Sequence, residues 1–303
     1  MNRFTVFTPT YNRINTLERV YESLKKQSFK DFIWLIVDDG SSDYTKEIVN
    51  NWIKEDIIKI KYLYKNNGGK HTAWRTAMNY VDSKYMVGID SDDTLTEDAL
   101  MIFNMHWENL EKSHDYDFFW EVKGRCKNEK GDLIGKVFPQ NIIDCYYTDM
   151  TYKLKYKNEM HGCRKVTVLQ NEAKVPDNFF MENHCNNFPE GVRWARAGKK
   201  YKTRYINEIV RTYYFDQSDQ LMKDRGKYFL YNTLVGTKYI LEEIGYEIKK
   251  NDLFVYYKNF MVLQYVSYKL KINPLKIISF SKMSDKFIFY LLLPITFFIS
   301  IVK

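Results

Sequence analysis

The sequence predicts an α/β protein with a mostly parallel central sheet and a helical extension at the C-terminus. Three observations carry that expectation. Strand-like and helix-like segments alternate over the first 110 residues, as they do when right-handed crossovers link parallel strands. Each of the first four strand-like runs ends in a polar cluster, and in an open parallel sheet that edge is where ligands bind. The last stretch, Phe287 to Val302, is sixteen residues long without a charge. With 303 residues, 45% hydrophobic and 28% charged, the chain has ample material for a buried core, which excludes wholesale disorder.

Taken in order, residues 4–8 (FTVFT) form the first strand-like run. Leu17, Val20, Tyr21 and Leu24 then recur at helical spacing behind Asn15 and Thr16, which are candidate caps. Phe32 to Val37 is a short apolar run, and Ile48, Val49, Trp52 and Ile53 mark a second helix. Ile58 to Tyr64 reads as a third strand, followed by a helix from about Thr72 to Tyr80 and a fourth strand at Tyr85 to Ile89. Thr94 and Glu97 have the spacing of a capping box, predicting a helix that opens there and buries Leu100, Phe103, Trp107 and Leu110. Asp117 to Lys123 reads as a strand, and the polar run Asn128 to Asp132, with its Gly131, as a hairpin turn. From there to about residue 215, mixed strands and short helices are expected to complete the same sheet.

Charge is distributed unevenly. Residues 199–303 hold 18 basic and 9 acidic side chains, whereas the first 198 are nearly neutral, so the net +8 argues for one local anionic partner and against a general nucleic-acid binder. As a helix, residues 287–302 would extend ~24 Å, short of a bilayer core of ~30 Å, and Pro294 interrupts them. Upstream lysines interleave with tyrosines, a pattern suited to anionic headgroups and the apolar boundary beneath them. The segment is therefore expected to dip into a membrane or to span it under strain. Met1 is followed at once by a strand-like run, so no leader is expected and the body is placed at the cytoplasmic face. The four cysteines lack C-x-x-C spacing and are expected as free thiols.

The polar clusters are Thr8-Pro9-Thr10-Tyr11-Asn12-Arg13, Asp38-Asp39-Gly40-Ser41-Ser42-Asp43, Asn66 to His71, and Asp90-Ser91-Asp92-Asp93. Topology alone brings them to one crevice. Three carboxylates in a turn after a buried strand repel one another unless a cation compensates, and hard oxygen ligands suit Mg2+ or Mn2+ bridging to phosphates. Asp38 and Asp39 fit either an Asx turn or an acceptor for a base N–H. Gly69 and Lys70 open a helix and suit a phosphate-bearing ligand, although Walker A spacing is missing.

Together these segments resemble family 2 glycosyltransferases of the GT-A fold, over roughly residues 3–215. The resemblance is of the inverting, bacterial surface-polysaccharide type. It implies a catalytic domain at 1–215 and a basic, aromatic helical extension at 216–303. It further implies a nucleotide-sugar donor, UDP-linked by preference, bound through Thr8, Pro9, Thr10, Tyr11, Arg13, Asp39, Gly69, Lys70, Asp90 and Ser91. A Mn2+ or Mg2+ ion is implied on Asp92 and Asp90, with Asp92 the direct ligand. Glu190 is the implied general base, with Glu182 as rival, although many relatives carry Glu-Asp where this chain has Glu190 alone. Arg75 also departs from the Asn common there. The loop Arg211 to Gln220 stands where relatives close over the diphosphate. Trp194, Phe180 and Phe188 are candidate sugar platforms or core residues. With the membrane-directed tail, the expected acceptor is a lipid-linked or surface glycan at the inner leaflet.

Two other readings stand beside this one. Asp90 and Asp92 also fit the D-x-D-x-[TV] signature of haloacid-dehalogenase-like phosphohydrolases, with Asp90 as nucleophile. That motif usually follows a domain's first strand, and here three strand–helix units precede it. The third reading is a membrane-tethered binding protein without catalysis.

Overall fold

The computed structural model of the chain describes residues 2–156, 158–171, 190–215, 226–278 and 283–302. They fall into two compact units: residues 2–146, 156, 158–171 and 200–215 in the first, and 147–155, 190–199, 226–278 and 283–302 in the second.

In the first unit, β1 (Phe4–Thr10) is flanked by β2 (Phe32–Asp38), then β3 (Ile60–Tyr64), on one side and by β4 (Tyr85–Gly88) on the other, all parallel. Strands covered on both faces read as continuous apolar runs, and Phe4, Val6 and Phe7 of β1 and Trp34 to Val37 of β2 are all buried. The crossovers are α1 (Ile14–Lys25), α2 (Thr45–Glu55) and α3 (Lys70–Met78). The predicted stripe Leu17, Val20, Tyr21 and Leu24 is the buried face of α1. Tyr21 stacks on Trp52 of α2 at 4.4 Å, while Ile53 points outward. Asn15 and Thr16 do not cap α1. The helix begins behind Arg13, and the Ile14 N–H donates instead to Asp43 Oδ2 (3.2 Å) from the loop after β2.

Thr94 and Glu97 do not open a helix either. Thr94–Leu95 forms a short strand, β5, antiparallel to Thr212 and Arg211, and α4 (Ala99–Glu111) starts behind Asp98. The cause is tertiary. The Thr96 hydroxyl donates to the Ile209 carbonyl (2.9 Å), 113 residues on, and its N–H to that of Val210 (3.1 Å). The helix still buries Leu100, Phe103, Trp107 and Leu110.

The remaining elements of this unit are β6 (Phe119–Asn128), β7 (Ile142–Tyr146), β8 (Met160–Lys165), α5 (Val166–Asn171) and β9 (Lys202–Tyr213). The predicted turn after β6 is present: Gly131 has φ +90° and Asn128 Oδ1 accepts from the N–H groups of Lys130 and Asp132. The sheet order is β3-β2-β1-β4-β8-β6-β9, with β5 and β7 both against the outer side of β9. Six of its nine strands, β1–β4, β6 and β9, run one way, and β5, β7 and β8 run the other. The mostly parallel sheet is therefore mixed, with β8 inserted antiparallel between β4 and β6. Gly162 on β8 is required there: a Cβ would lie 2.1 Å from Oε1 of buried Glu121, whose carboxylate pairs with Arg164 Nε at 2.7 Å.

The second unit is helical: α6 (Glu190–Lys200, all but its last residue), α7 (Lys227–Asn251, kinked at Ile244), α8 (Leu253–Lys269) and α9 (Met283–Val302). Asp252 caps α8 by accepting from the Val255 N–H (3.0 Å). Leu241, Ile244, Ile248, Phe260, Leu263 and Phe289 form its core.

Candidate active site

The four polar clusters meet at the carboxyl ends of β1 to β4. Asn12 sits at φ 50°, a conformation asparagine tolerates, and ties the first loop to the second. Its N–H donates to Ser41 Oγ (2.9 Å) and its Oδ1 accepts from the Ser42 N–H (2.8 Å). The Asp39 N–H donates to the Thr10 carbonyl (2.8 Å). Asp39 then joins the second loop to the third: its carboxylate accepts from Gly68 N–H (3.0 Å), Gly69 N–H (2.6 Å) and the Thr72 hydroxyl (3.3 Å), and pairs with Lys65. Gly40, at φ +90°, passes so close to Asn67 that a Cβ would sit 2.7 Å from its backbone nitrogen. Lys70 joins the third loop to the fourth, its Nζ 2.8 Å from Asp90 Oδ1.

Asp38 and Asp39 make different contacts, and both are buried. Asp38 is buried and makes the Asx turn, accepting from the Ser41 N–H (2.7 Å) and the Tyr62 hydroxyl (2.5 Å). Asp39 organises the glycine loop, and its Oδ2 takes one of those four contacts while Oδ1 takes the other three.

The first segment is not uniform. Thr8 is buried and its hydroxyl accepts from the Trp34 indole N–H (2.9 Å), so its side chain serves the core. Thr10 is buried as well, Pro9 and Arg13 are half-buried, and Tyr11 exposes its ring. Gly69, at φ 91°, immediately precedes α3.

Asp90, Asp92 and Asp93 present carboxylate oxygens that all lie within 4.8 Å of one another. Three hard oxygen donors at that separation fit a Mg2+ or Mn2+ ion. The protein's own cations already compensate part of their charge. Arg211, at the end of β9, pairs with buried Asp93, lies 3.9 Å from Asp90 and reaches Glu159 at 3.3 Å. The Tyr214 N–H donates to Asp93 Oδ1 (3.1 Å). Burial works against the ionised Asp90, yet Lys70 and Arg211 hold its carboxyl down at about 2. Burial, then the Asp90 charge, pushes Asp92 up. Burial pushes Asp93 up to about 6 against the pull of Arg211. Asp93 is thus locked by protein partners, while Asp90 and Asp92 are only half-buried. Ser91 between them is buried.

Glu190 is the first residue of α6, in the second unit. Burial lowers the neighbouring Arg193 guanidinium to about 10, with the Glu190 charge acting in the opposite direction. Trp194 is half-buried on the same helix. Glu182, Phe180, Phe188, Cys185 and residues 216–220 of the candidate closing loop lie outside the described residues. Cys126 and Cys163 are free thiols, both buried.

Sequence reasoning missed Lys65 and Thr72 as partners of Asp39, and Arg211 as the partner of the acidic turn, with Glu159 in turn pairing Arg211. A lysine ending a strand beside a double-acid loop was a signal for the first. Nothing local signals the second, because Arg211 arrives through the β5–β9 pairing.

The family model described as glycosyl transferase family 2 matches residues 5–163 of this chain. A relative in Campylobacter jejuni, named GalNAc(5)-diNAcBac-PP-undecaprenol beta-1,3-glucosyltransferase, is 27% identical over 75% of this chain and 69% of its own length. The poly(ribitol-phosphate) beta-N-acetylglucosaminyltransferase TarS of Staphylococcus aureus is 31% identical over 33% of this chain, and the match spans only 18% of that protein. Among solved structures, TarS residues 1–349 with UDP-GlcNAc superposes with a TM-score of 0.58 at 16% identity, covering 88% of this chain and 73% of the other. The mannosyltransferase PcManGT of Pyrobaculum calidifontis, in complex with GDP-Man and Mn2+, gives 0.55 at 14%, covering 89% and 74%. At such identity the two structures speak for the GT-A fold alone. The family match runs across the acidic turn, which removes the phosphohydrolase reading of Asp90 and Asp92.

Proposed function

The chain belongs to glycosyl transferase family 2, and from that premise we propose that it is a metal-dependent, inverting glycosyltransferase. It moves a sugar from a nucleotide sugar, UDP-linked by preference, to a hydroxyl of a lipid-linked or surface-glycan acceptor at the inner leaflet. The observation that carries this reading is the joining of four loops, through Asp39, Asn12 and Lys70, at one edge of the sheet. The undecaprenol-linked substrate in one relative's name and the UDP-sugar bound in one fold neighbour support the choices of acceptor and donor.

In this mechanism the loop at 9–13 and the carboxylate of Asp39 receive the nucleoside, with the exposed Tyr11 ring beside them. The start of α3, entered through Gly69, offers backbone N–H groups toward the diphosphate. Lys70, released from Asp90, contributes a cation to it. Asp92 and Asp90 would hold the Mn2+ or Mg2+ ion, which would supply positive charge against that growing on the departing nucleoside diphosphate. Glu190 takes the proton from the acceptor hydroxyl as that oxygen attacks the anomeric carbon. Residues 1–215 supply the catalytic domain, and 216–303 the extension that contacts the membrane.

A screen of nucleotide sugars for Mn2+-dependent thermal stabilisation and nucleoside diphosphate release tests the reading. One donor should stabilise the wild type, and Asp92→Ala and Glu190→Ala should each lower turnover at least ~100-fold. Near-zero rates in wild type and variants alike, with no stabilisation by any donor, would leave a non-catalytic binding protein instead.

A further inference from the structure

From the α8/α9 pair we infer that α9 is an in-plane anchor for an anionic lipid bilayer and not a membrane span, a refinement that rests on the membrane contact proposed above. α9 is long and apolar enough to cross a membrane, but its two faces differ. Phe287, Leu291, Ile295, Phe298 and Ile301 recur at intervals of three and four residues, and each is more than half exposed. They form one continuous apolar stripe along the helix. The opposite face is fixed to α8. Phe289 is fully buried, with its ring 5.5 Å from that of Phe260.

Polar contacts fix the same face. Gln264 of α8 is fully buried; its Nε2 donates to the Phe289 carbonyl (2.7 Å) and its Oε1 accepts from the Thr296 hydroxyl (2.7 Å). Asp285 is buried between Lys249, with which it pairs, and the Tyr256 hydroxyl (3.2 Å). A span is wrapped by lipid on every side. Withdrawing α9 to span would strip the Gln264 amide and Asp285 of these partners, although Thr296 keeps the carbonyls of Leu292 and Leu293 on its own helix, and unsatisfied polar groups are costly in hydrocarbon. Carrying α8 along would take exposed Lys258 into the bilayer. Lying flat avoids both, because only the stripe enters the acyl boundary.

The charge selects the partner. Residues 249–303 hold nine lysines and two aspartates, and one of those aspartates, Asp285, is already paired. Lys269, Lys271, Lys276 and Lys286 are exposed near the ends of α8 and α9, and lysines of this kind attract anionic headgroups. A second copy of the chain would set the same lysines against each other, so an anionic bilayer is the better complement.

The test uses the full-length protein with a peptide tag after Lys303, sealed vesicles of phosphatidylcholine with or without phosphatidylglycerol, flotation, and protease added outside. The expected result is flotation that needs phosphatidylglycerol and weakens with salt, with the tag still open to the protease. The double variant Leu291→Lys/Phe298→Lys, folded by circular dichroism, should partition about a hundredfold less, as expected for losing two immersed apolar side chains. A tag protected from protease would mean that α9 spans, overturning this inference while membrane contact survives. No flotation with either lipid, together with a stable dimer by sedimentation, would overturn both and make the stripe an interface between copies. None of these readouts uses catalysis, so they do not depend on the transferase assignment.

Discussion

Replacing Arg211 with methionine isolates what holds the acidic turn together. Arg211 and Asp93 are both buried, with side chains 8% and 2% exposed. Without the guanidinium, Asp93 keeps the Tyr214 N–H at 3.1 Å as its one donor among the described residues, while Asp90 and Asp92 remain beside it. Breaking a buried ion pair from one side costs about 3–5 kcal/mol, since the remaining charge stays desolvated. Methionine fills much of the vacated volume, so a cavity adds little. In a chain of this size that corresponds to a fall in melting midpoint on the order of 10 °C. Neutralising the orphaned carboxylate as well, in Asp93→Asn/Arg211→Met, should recover about 2 kcal/mol. Urea unfolding followed by tryptophan fluorescence measures all three proteins. If Arg211→Met falls within about 1 kcal/mol of wild type, or the double variant is the least stable, the pair does not carry the energy assigned to it.

Glu111 should govern acid stability. Its carboxylate receives two Arg3 N–H groups (3.0 and 3.1 Å) and the Tyr85 hydroxyl (2.6 Å), and pairs with Lys84 (2.7 Å). Burial opposes ionisation there, yet Arg3, Lys84 and Tyr85 hold the group down at about 2, against 4.5 ordinarily. A depressed carboxyl stabilises the fold above its unfolded value, so about 2 kcal/mol, after allowing for solvent screening, is present above pH 4.5 and lost as pH falls toward 2. Glu111→Gln should therefore lower the midpoint at neutral pH and flatten its decline below pH 4.5; an unchanged acid profile would contradict the assignment. Gly162→Ala should cost about 3 kcal/mol or more, because its Cβ would meet the buried Glu121 carboxylate at 2.1 Å. Gly191→Ala on α6 is the control: among the described residues, no atom beyond its own chain neighbours and helix backbone lies within 4 Å of the added carbon, and a small gain in stability is expected. Equal midpoints for the two alanine variants would show that the Glu121 slot tolerates the methyl group.

Much of this molecule is legible where the information is local. The helix faces at Leu17–Leu24 and Leu100–Leu110, the four strand ends and the turn at Gly131 follow from periodicity and turn chemistry, and each is found in place. The errors share one cause. Thr94 and Glu97 have the spacing of a helix start, but β9 claims Thr94 and Leu95 from far along the chain. The first helix finds its cap in Asp43, on a different loop, instead of in the residues beside it. In the site, the acids are visible in sequence and their counterions are not. Asp90 and Asp93 announce themselves by crowding, whereas Lys70 and Arg211 are identified only once the sheet order sets them alongside. Propensity registers neighbours in the chain, and these partners are neighbours only in space.

The sharing of one flank of β9 by two short strands also bears on solubility. A long bare strand margin is a template for intermolecular pairing and aggregation. Here β7 takes the first half of β9 and the two-residue β5 caps its last part, so the longest strand presents no extended row of open amides. The opposite margin, β3, is only five residues long, carries Lys61 within it and is bracketed by Lys59 and Lys65. Molecules at high concentration would thus be kept from pairing edge to edge.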